Sequence, residues 1–405
     1  MKKIKNENQI LIMLAFFSIS MGLWENFRQL WLQDNGFSVT NISNIISIGT
    51  LISVIGILFV GKYIKLEKLK GFVSYSLIIK FLNLIFLLSL NNKGNINLIN
   101  IAVILDVLTG YLVTTSIYPL ITTIVKNNTI YSKRKLTEYL FKDIGILIGG
   151  LLIGKNVIGI LINYNACLFI SIIFLAISII VMFNMSACRN IDDKQSENIP
   201  IIKYILKSKL QVIYMIYSFI GATAMSTALG LKMLTLTNYF KFTDSQATNY
   251  LLIVGLLADL IGILALKYLT PKNDYVTITI KFGIRFVSYL IAFLSNNMII
   301  TLIAMTWSIL ISTSYENICD GYYINSVDNK YQLTFTNFRY VVRYLGEAFG
   351  VFLCGVMYEI GLRYMFGLSA FILIFQIWLA YYLIYLRKKR NIYDVTSKEK
   401  IMILS

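Results

Sequence analysis

Twelve windows of roughly 20 mostly apolar residues run the length of this 405-residue chain. They lie near 9–32, 39–61, 71–90, 98–125, 136–154, 164–185, 210–233, 247–269, 275–295, 298–323, 334–358 and 364–386. Each is long enough for a helix to cross the hydrocarbon core of a bilayer. No other feature narrows the fold as much, because backbone donors and acceptors surrounded by lipid must be satisfied within their own segment. Composition agrees, with 57% hydrophobic residues and a mean hydropathy of +0.70. The expectation is an all-α polytopic membrane protein with about 12 transmembrane helices. The opening MKKIKNENQ and the apolar run after it imitate a signal peptide. The run is too long, lacks a small-residue cleavage site and leads straight into a second span, so it reads as span 1.

The formal net charge of +17 is a topology signal. With a cytoplasmic N-terminus, one side holds Lys2, Lys3, Lys5, Lys62, Lys65, Lys68, Lys70, Lys126, Lys133, Arg134, Lys135, Arg189, Lys194, Lys203, Lys207 and Arg387–Arg390. The opposite loops carry little beyond Lys93, Lys155, Lys241 and Arg363. This is the positive-inside pattern, with both termini in the cytoplasm of a bacterial inner membrane, and it argues against nucleic acid as a partner.

The chain also repeats itself. Tyr139, Lys142, Gly145, Gly149 and Gly154 reappear as Tyr340, Arg343, Gly346, Gly350 and Gly355, at a constant offset (340 − 139 = 355 − 154 = 201). The stretch 36–43, GFSVTNIS, aligns with 241–248, KFTDSQAT, at 205, and Lys62-Tyr63 with Lys267-Tyr268 at the same offset. The Ser/Thr positions suit N-caps of spans 2 and 8. Two parallel, pseudo-symmetric six-helix halves follow: residues 1–188, a cytoplasmic linker 189–209, and 210–405 with a short basic tail.

Two six-helix halves, a polar linker between spans 6 and 7, the G-F-S-x-x-x-I turn at Gly36–Ile42 and glycine-rich spans 5 and 11 resemble the major facilitator superfamily. That resemblance implies a secondary transporter or permease, monomeric, moving a drug or metabolite by alternating access, in uptake or efflux. It also implies a cavity lined by spans 1, 4, 7 and 10, which favours Glu25, Arg28, Asp106, Lys232, Glu316 and Asp320. The superfamily's loop between spans 2 and 3 keeps Gly61 and its basic end here, but Lys65 stands at the acidic position. Span 4 has Asp106 and Gly110 where drug/proton antiporters carry an arginine, so no subgroup is assigned.

A charge at the bilayer centre costs about 3 kcal/mol. Those in the spans are Glu25, Arg28, Lys80, Asp106, Lys142, Asp143, Lys232, Asp259, Lys281, Arg285, Glu316, Asp320, Arg339, Arg343 and Glu347, which must meet partners, water or the interface. Glu316, Asp320 and Tyr323 share one helical face and suit proton carriage or substrate binding; structural pairing with span 11 is the alternative. Histidine is absent, so a coupled proton must ride on a carboxylate. Arg28 either pairs with Glu25 or clamps a substrate, and with Lys232 it suits an anionic or zwitterionic solute. Lys142 and Arg343 read as gating bases, with an Arg343–Glu347 pair as the alternative, and Arg339 as a headgroup contact. Gly145, Gly149, Gly154, Gly346, Gly350 and Gly355 let helices approach closely.

Cys167, Cys188, Cys319 and Cys354 show no metal spacing, and no Walker A motif or nucleophile–base constellation is visible. Neither an enzyme nor a cofactor or metal is expected. The competing class is a transporter-like receptor or assembly factor without transport.

Overall fold

A computed structural model describes the backbone of residues 2–64, 68–90, 95–124, 129–153, 164–185, 205–206, 208–268, 274–324 and 332–404. Within these helices the side chains of 2–6, 62, 118, 122–124, 129–133, 135–136, 262–268, 274–280, 312–324, 332–334, 387 and 389–404 are not described. Gly154 and the linker 189–204 therefore fall outside the described residues, as do the side chains of Glu316, Asp320 and Tyr323.

Among the described residues all twelve apolar windows are mainly helical. The helices are α1 (Lys2–Glu25), α2 (Arg28–Asp34), α3 (Val39–Tyr63), α4 (Leu69–Ser89), α5 (Ile96–Ile124), α6 (Thr129–Leu152) and α7 (Tyr164–Asn184). They continue with α8 (Lys209–Leu229), α9 (Asp244–Tyr268), α10 (Asp274–Leu294), α11 (Met298–Ile324), α12 (Gln332–Ile360) and α13 (Leu362–Leu404). Span 1 is α1 plus α2; span 7 is α8, a single turn Lys232–Leu234 and a π-helix Thr235–Tyr239. Among the described residues, eight stretches are long and apolar enough to cross a membrane, and α11 adds the shorter apolar Met298–Ile311.

Packing repeats between the halves. In the first, α1 lies on α6 and α7, α5 on α3 and α4, and α4 on α7. In the second, α8 lies on α12 and α13, α11 on α9 and α10, and α10 on α13. The halves meet through α3 on α12 and α6 on α9, which are exchanged by the same symmetry.

Local chemistry sets the repeat's register. Gly36, at φ +83°, ends α2 in a Schellman motif, its amide donating to Gln33 O and that of Phe37 to Leu32 O. Ser38 then caps α3 by accepting from the Asn41 amide at 3.2 Å. In the second half Thr243 and Gln246 form a reciprocal capping box at the start of α9. Lys241 takes the left-handed position of Gly36, at φ +58°. A side chain there costs roughly 1 kcal/mol, so Lys241→Gly is expected to hold or slightly raise the thermal midpoint; a clear fall would mean the lysine makes a compensating contact.

Between its break and this turn the second half carries one residue more. The segments after the breaks begin at Arg28 and Lys232, 204 apart, whereas Gly36 and Lys241 are 205 apart. The π-helix Thr235–Tyr239 absorbs the extra residue. It also removes a one-residue mismatch left by sequence alignment, making Arg28 and Lys232 equivalent.

Candidate functional site

A cavity of about 400 Å³ lies between the halves. Its described lining includes seven bases (Arg28, Lys142, Lys232, Lys281, Arg285, Arg339 and Arg343) and four acids (Glu25, Asp106, Glu138 and Glu347). Spans 1 and 7 supply the broken segments that carry Arg28 and Lys232. Each break frees backbone polar groups at membrane depth, which is tolerated where the backbone borders a cavity.

On the first-half side Asp106 is a hub. It accepts from Arg28 Nη1 at 2.9 Å, from Lys80 Nζ at 2.5 Å and from Trp24 Nε1 at 2.9 Å. Its side chain is 0% exposed and that of Lys80 only 1%. The Trp24 and Trp31 rings meet edge-on behind it, 5.7 Å apart. The Arg28–Glu25 alternative is not realised. The backbone turns at Asn26–Phe27, so the two are no longer on one helical face, and Glu25 instead pairs with Lys142 of α6. This pair stands beside the α1–α6 crossing, where Gly22 faces the Lys142 carbonyl and Gly145 that of Ile19.

On the other side, Arg339 is buried and borders the cavity, 5.7 Å from the Tyr214 ring centroid, so the headgroup expectation is corrected. Its helix, α12, is amphipathic, and the guanidinium follows the polar face inward. Glu347 accepts from the Tyr111 hydroxyl of the opposite half at 2.6 Å, and the Tyr111 and Tyr344 rings lie 4.4 Å apart. Lys232 lines the cavity. α11 carries the backbone of Glu316, Asp320 and Tyr323, but their side chains are outside the description.

Sequence reasoning counted Lys80, Lys281 and Arg285 among the intramembrane charges without placing them in the site. The repeat held the missing signal, since 80 + 205 = 285 aligns two bases buried in spans 3 and 9.

The halves are tied together at the end of the bundle away from the start of α1. Gln29 Nε2 donates to Gly230 O at 2.9 Å, Tyr164 to Asp244, and Thr40 to Glu359. Deeper along the same face, the Ser47 hydroxyl donates to Ala348 O at 2.8 Å. One hydrophobic core runs across this end, joining Trp31 and Leu32 with Leu231, Leu234, Leu251 and Tyr358, while a second lies within the second half from Ile205 onward. A small third cluster, Val54, Ile57, Val341 and Tyr344, joins α3 and α12 toward the other end.

No protein-family model matches the chain, and no curated protein matches it. Solved structures do. The chain is similar to the nucleoside transporter NupG, with TM-score 0.67 and 13% identity over 95% of this chain and 99% of that one. It is similar to a D-xylose-proton symporter, with TM-score 0.67 and 9% identity over 93% and 96%. A bacterial homologue of the human lysosomal transporter Spinster, in an inward-facing and unoccupied conformation, gives TM-score 0.68 and 12% identity over 96% and 98%. Likeness at this identity establishes the fold alone: a multi-pass, all-α, major-facilitator-like architecture in two pseudo-symmetric six-helix halves.

Proposed function

We propose that this protein is a secondary active transporter of the bacterial cytoplasmic membrane, carrying a small solute through the central cavity by alternating access. One observation carries the reading: a charged cavity walled by both halves, beside cross-half hydrogen bonds that, among the described residues, gather toward one end of the bundle. By the positive-inside pattern that end faces outward, so the arrangement corresponds to a closed outer gate. The solved structures of like fold are named as transporters, which supports the same class. Proton coupling belongs to the proposal, with Glu316 and Asp320 as carriers and Glu25 and Asp106 in reserve. Flux with and without an imposed pH gradient tests it.

Alternating access requires the outer gate to open. A Thr40→Cys/Glu359→Cys variant joins two side chains already in contact across the halves. Oxidation is expected to abolish solute flux into proteoliposomes, and reduction to restore it. Undiminished flux in the oxidised protein would mean these ends do not separate. The receptor reading survives only if a solute binds the purified protein and no flux of it is seen in either redox state.

A further inference from the structure

The repeat relates charges as well as backbone. α4 and α10 match end for end at an offset of 205, which sets Arg285 where Lys80 stands in the first half. α5 and α11 both follow an asparagine that caps them. Asn95 Oδ1 accepts from the Asn97 amide and Asn297 Oδ1 from the Ile299 amide, each at 2.9 Å. Their offset of 202 sets Ser308 in the place of Asp106 (106 + 202 = 308). Arg28 and Lys232 correspond at 204. The Arg28–Asp106–Lys80 hub therefore has a counterpart, Lys232–Ser308–Arg285, that keeps both bases and lacks the acid.

The consequences of that loss are visible. Ser308 is fully buried and its hydroxyl has no hydrogen-bond partner. Arg285 is 4% exposed; its Nε donates to the Tyr289 hydroxyl at 3.2 Å, and its Nη2 has no acceptor. Lys281, one turn earlier on the same face and also 4% exposed, lies 5.2 Å from the Phe282 ring centroid. Among the described residues Lys281 and Arg285 form no ion pair, and both line the cavity. Lys232 lines it too, but its charged neighbours are Lys142, Glu25 and Asp143. Two cations one turn apart at membrane depth, with no counter-ion among the described residues, are costly and repel one another. A mobile anion relieves both effects.

We propose that Lys281 and Arg285 form an oxyanion subsite in which a carboxylate or phosphate group of the solute takes the part that Asp106 plays in the first half. The inference rests on the cavity being the solute site of a transporter, and it narrows the solute to an organic anion. Arg285 supplies a directional fork, while the Lys281 ammonium adapts to the shape of the anion.

The test is thermal unfolding of the purified full-length protein with inorganic phosphate, succinate, glucose or choline, at ionic strength matched with sodium chloride. Phosphate or succinate is expected to raise the wild-type midpoint by about 3–8 °C near saturation, and glucose or choline to leave it unchanged. Ser308→Asp restores the internal counter-ion, so its ligand-free midpoint should rise and its response to anions vanish. Ser308→Asn, without the charge, should respond like wild type, and Arg285→Gln should lose the response. Whether phosphate or succinate acts identifies the preferred oxyanion, and either result supports the subsite. The proposal is overturned if no oxyanion stabilises the protein, if glucose or choline does so equally, or if Arg285→Gln responds fully. The Arg285→Gln arm decides alone should Ser308→Asp fail to fold. Stabilisation by anions without flux would leave the subsite standing and remove the transport reading. Flux confined to uncharged solutes would do the reverse.

Discussion

Alanine at Asp106 is expected to cost about 3–5 kcal/mol of stability, the usual consequence of removing one partner from a buried ion pair. The carboxylate faces two bases and an indole N–H, and both Asp106 and Lys80 are almost wholly inaccessible. Removing it leaves two like charges together at membrane depth. Lys80→Met is expected to cost much less, because Arg28 and Trp24 still satisfy the acid. The double variant Asp106→Ala/Lys80→Met should recover part of the loss, since one orphaned cation leaves with the acid. Cys167 and Cys354 are buried free thiols, so a fluorogenic thiol dye reports unfolding of all three variants. Equal midpoints for Asp106→Ala and Lys80→Met would mean that water already neutralises this hub.

Alanine at Gly145 or Gly346 should be nearly as damaging. An added Cβ at Gly145 would meet the Ile19 carbonyl, and at Gly346 the Phe219 carbonyl, each on the helix it crosses. Backbone cannot rotate aside as a side chain can, so α6 must lift from α1, or α12 from α8, at a cost of about 1–3 kcal/mol or more. Gly350 faces the Thr223 carbonyl in the same way, so leucine there is expected to block assembly rather than only motion. Gly149 faces the ring of buried Phe27, and Gly355 the Cβ and hydroxyl of buried Ser43 in the other half, so a side chain at either also forces its neighbour to move. Gly283, in mid-helix with open space around its missing Cβ, is the control: Gly283→Ala should be neutral or stabilising by up to ~1 kcal/mol. Membrane yield and thermal midpoint together check the series. A Gly346→Ala protein as stable as Gly283→Ala would show that the crossing is looser than drawn.

The twelve spans, their pairing into two parallel halves and the crossing glycines were legible in the sequence because each is written locally. Length and hydropathy specify a span, and a glycine marks close approach wherever a helix is otherwise apolar. The caps at Ser38 and Thr243 were legible for the same reason. The partners of the charges were not. Spacing offered Glu25 to Arg28 at i+3, but a break at Asn26–Phe27 sent Glu25 to Lys142 and Arg28 to Asp106, residues 117 and 78 positions away. Arg339 looked like an interfacial residue by its place near a helix end, yet α12 turns it into the cavity.

What the sequence determined alone is therefore the inventory: twelve helices, their duplication, and a set of charges too costly to face lipid. What only the tertiary structure decided is how those charges are matched. A buried charge takes whichever counter-charge the packing brings within about 3 Å, and helices far apart in the chain set that distance. The π-helix at Thr235–Tyr239 and the two asparagine caps bring the halves into register residue by residue. Only in that register does Ser308 correspond to Asp106, a serine at the position where the first half has its acid.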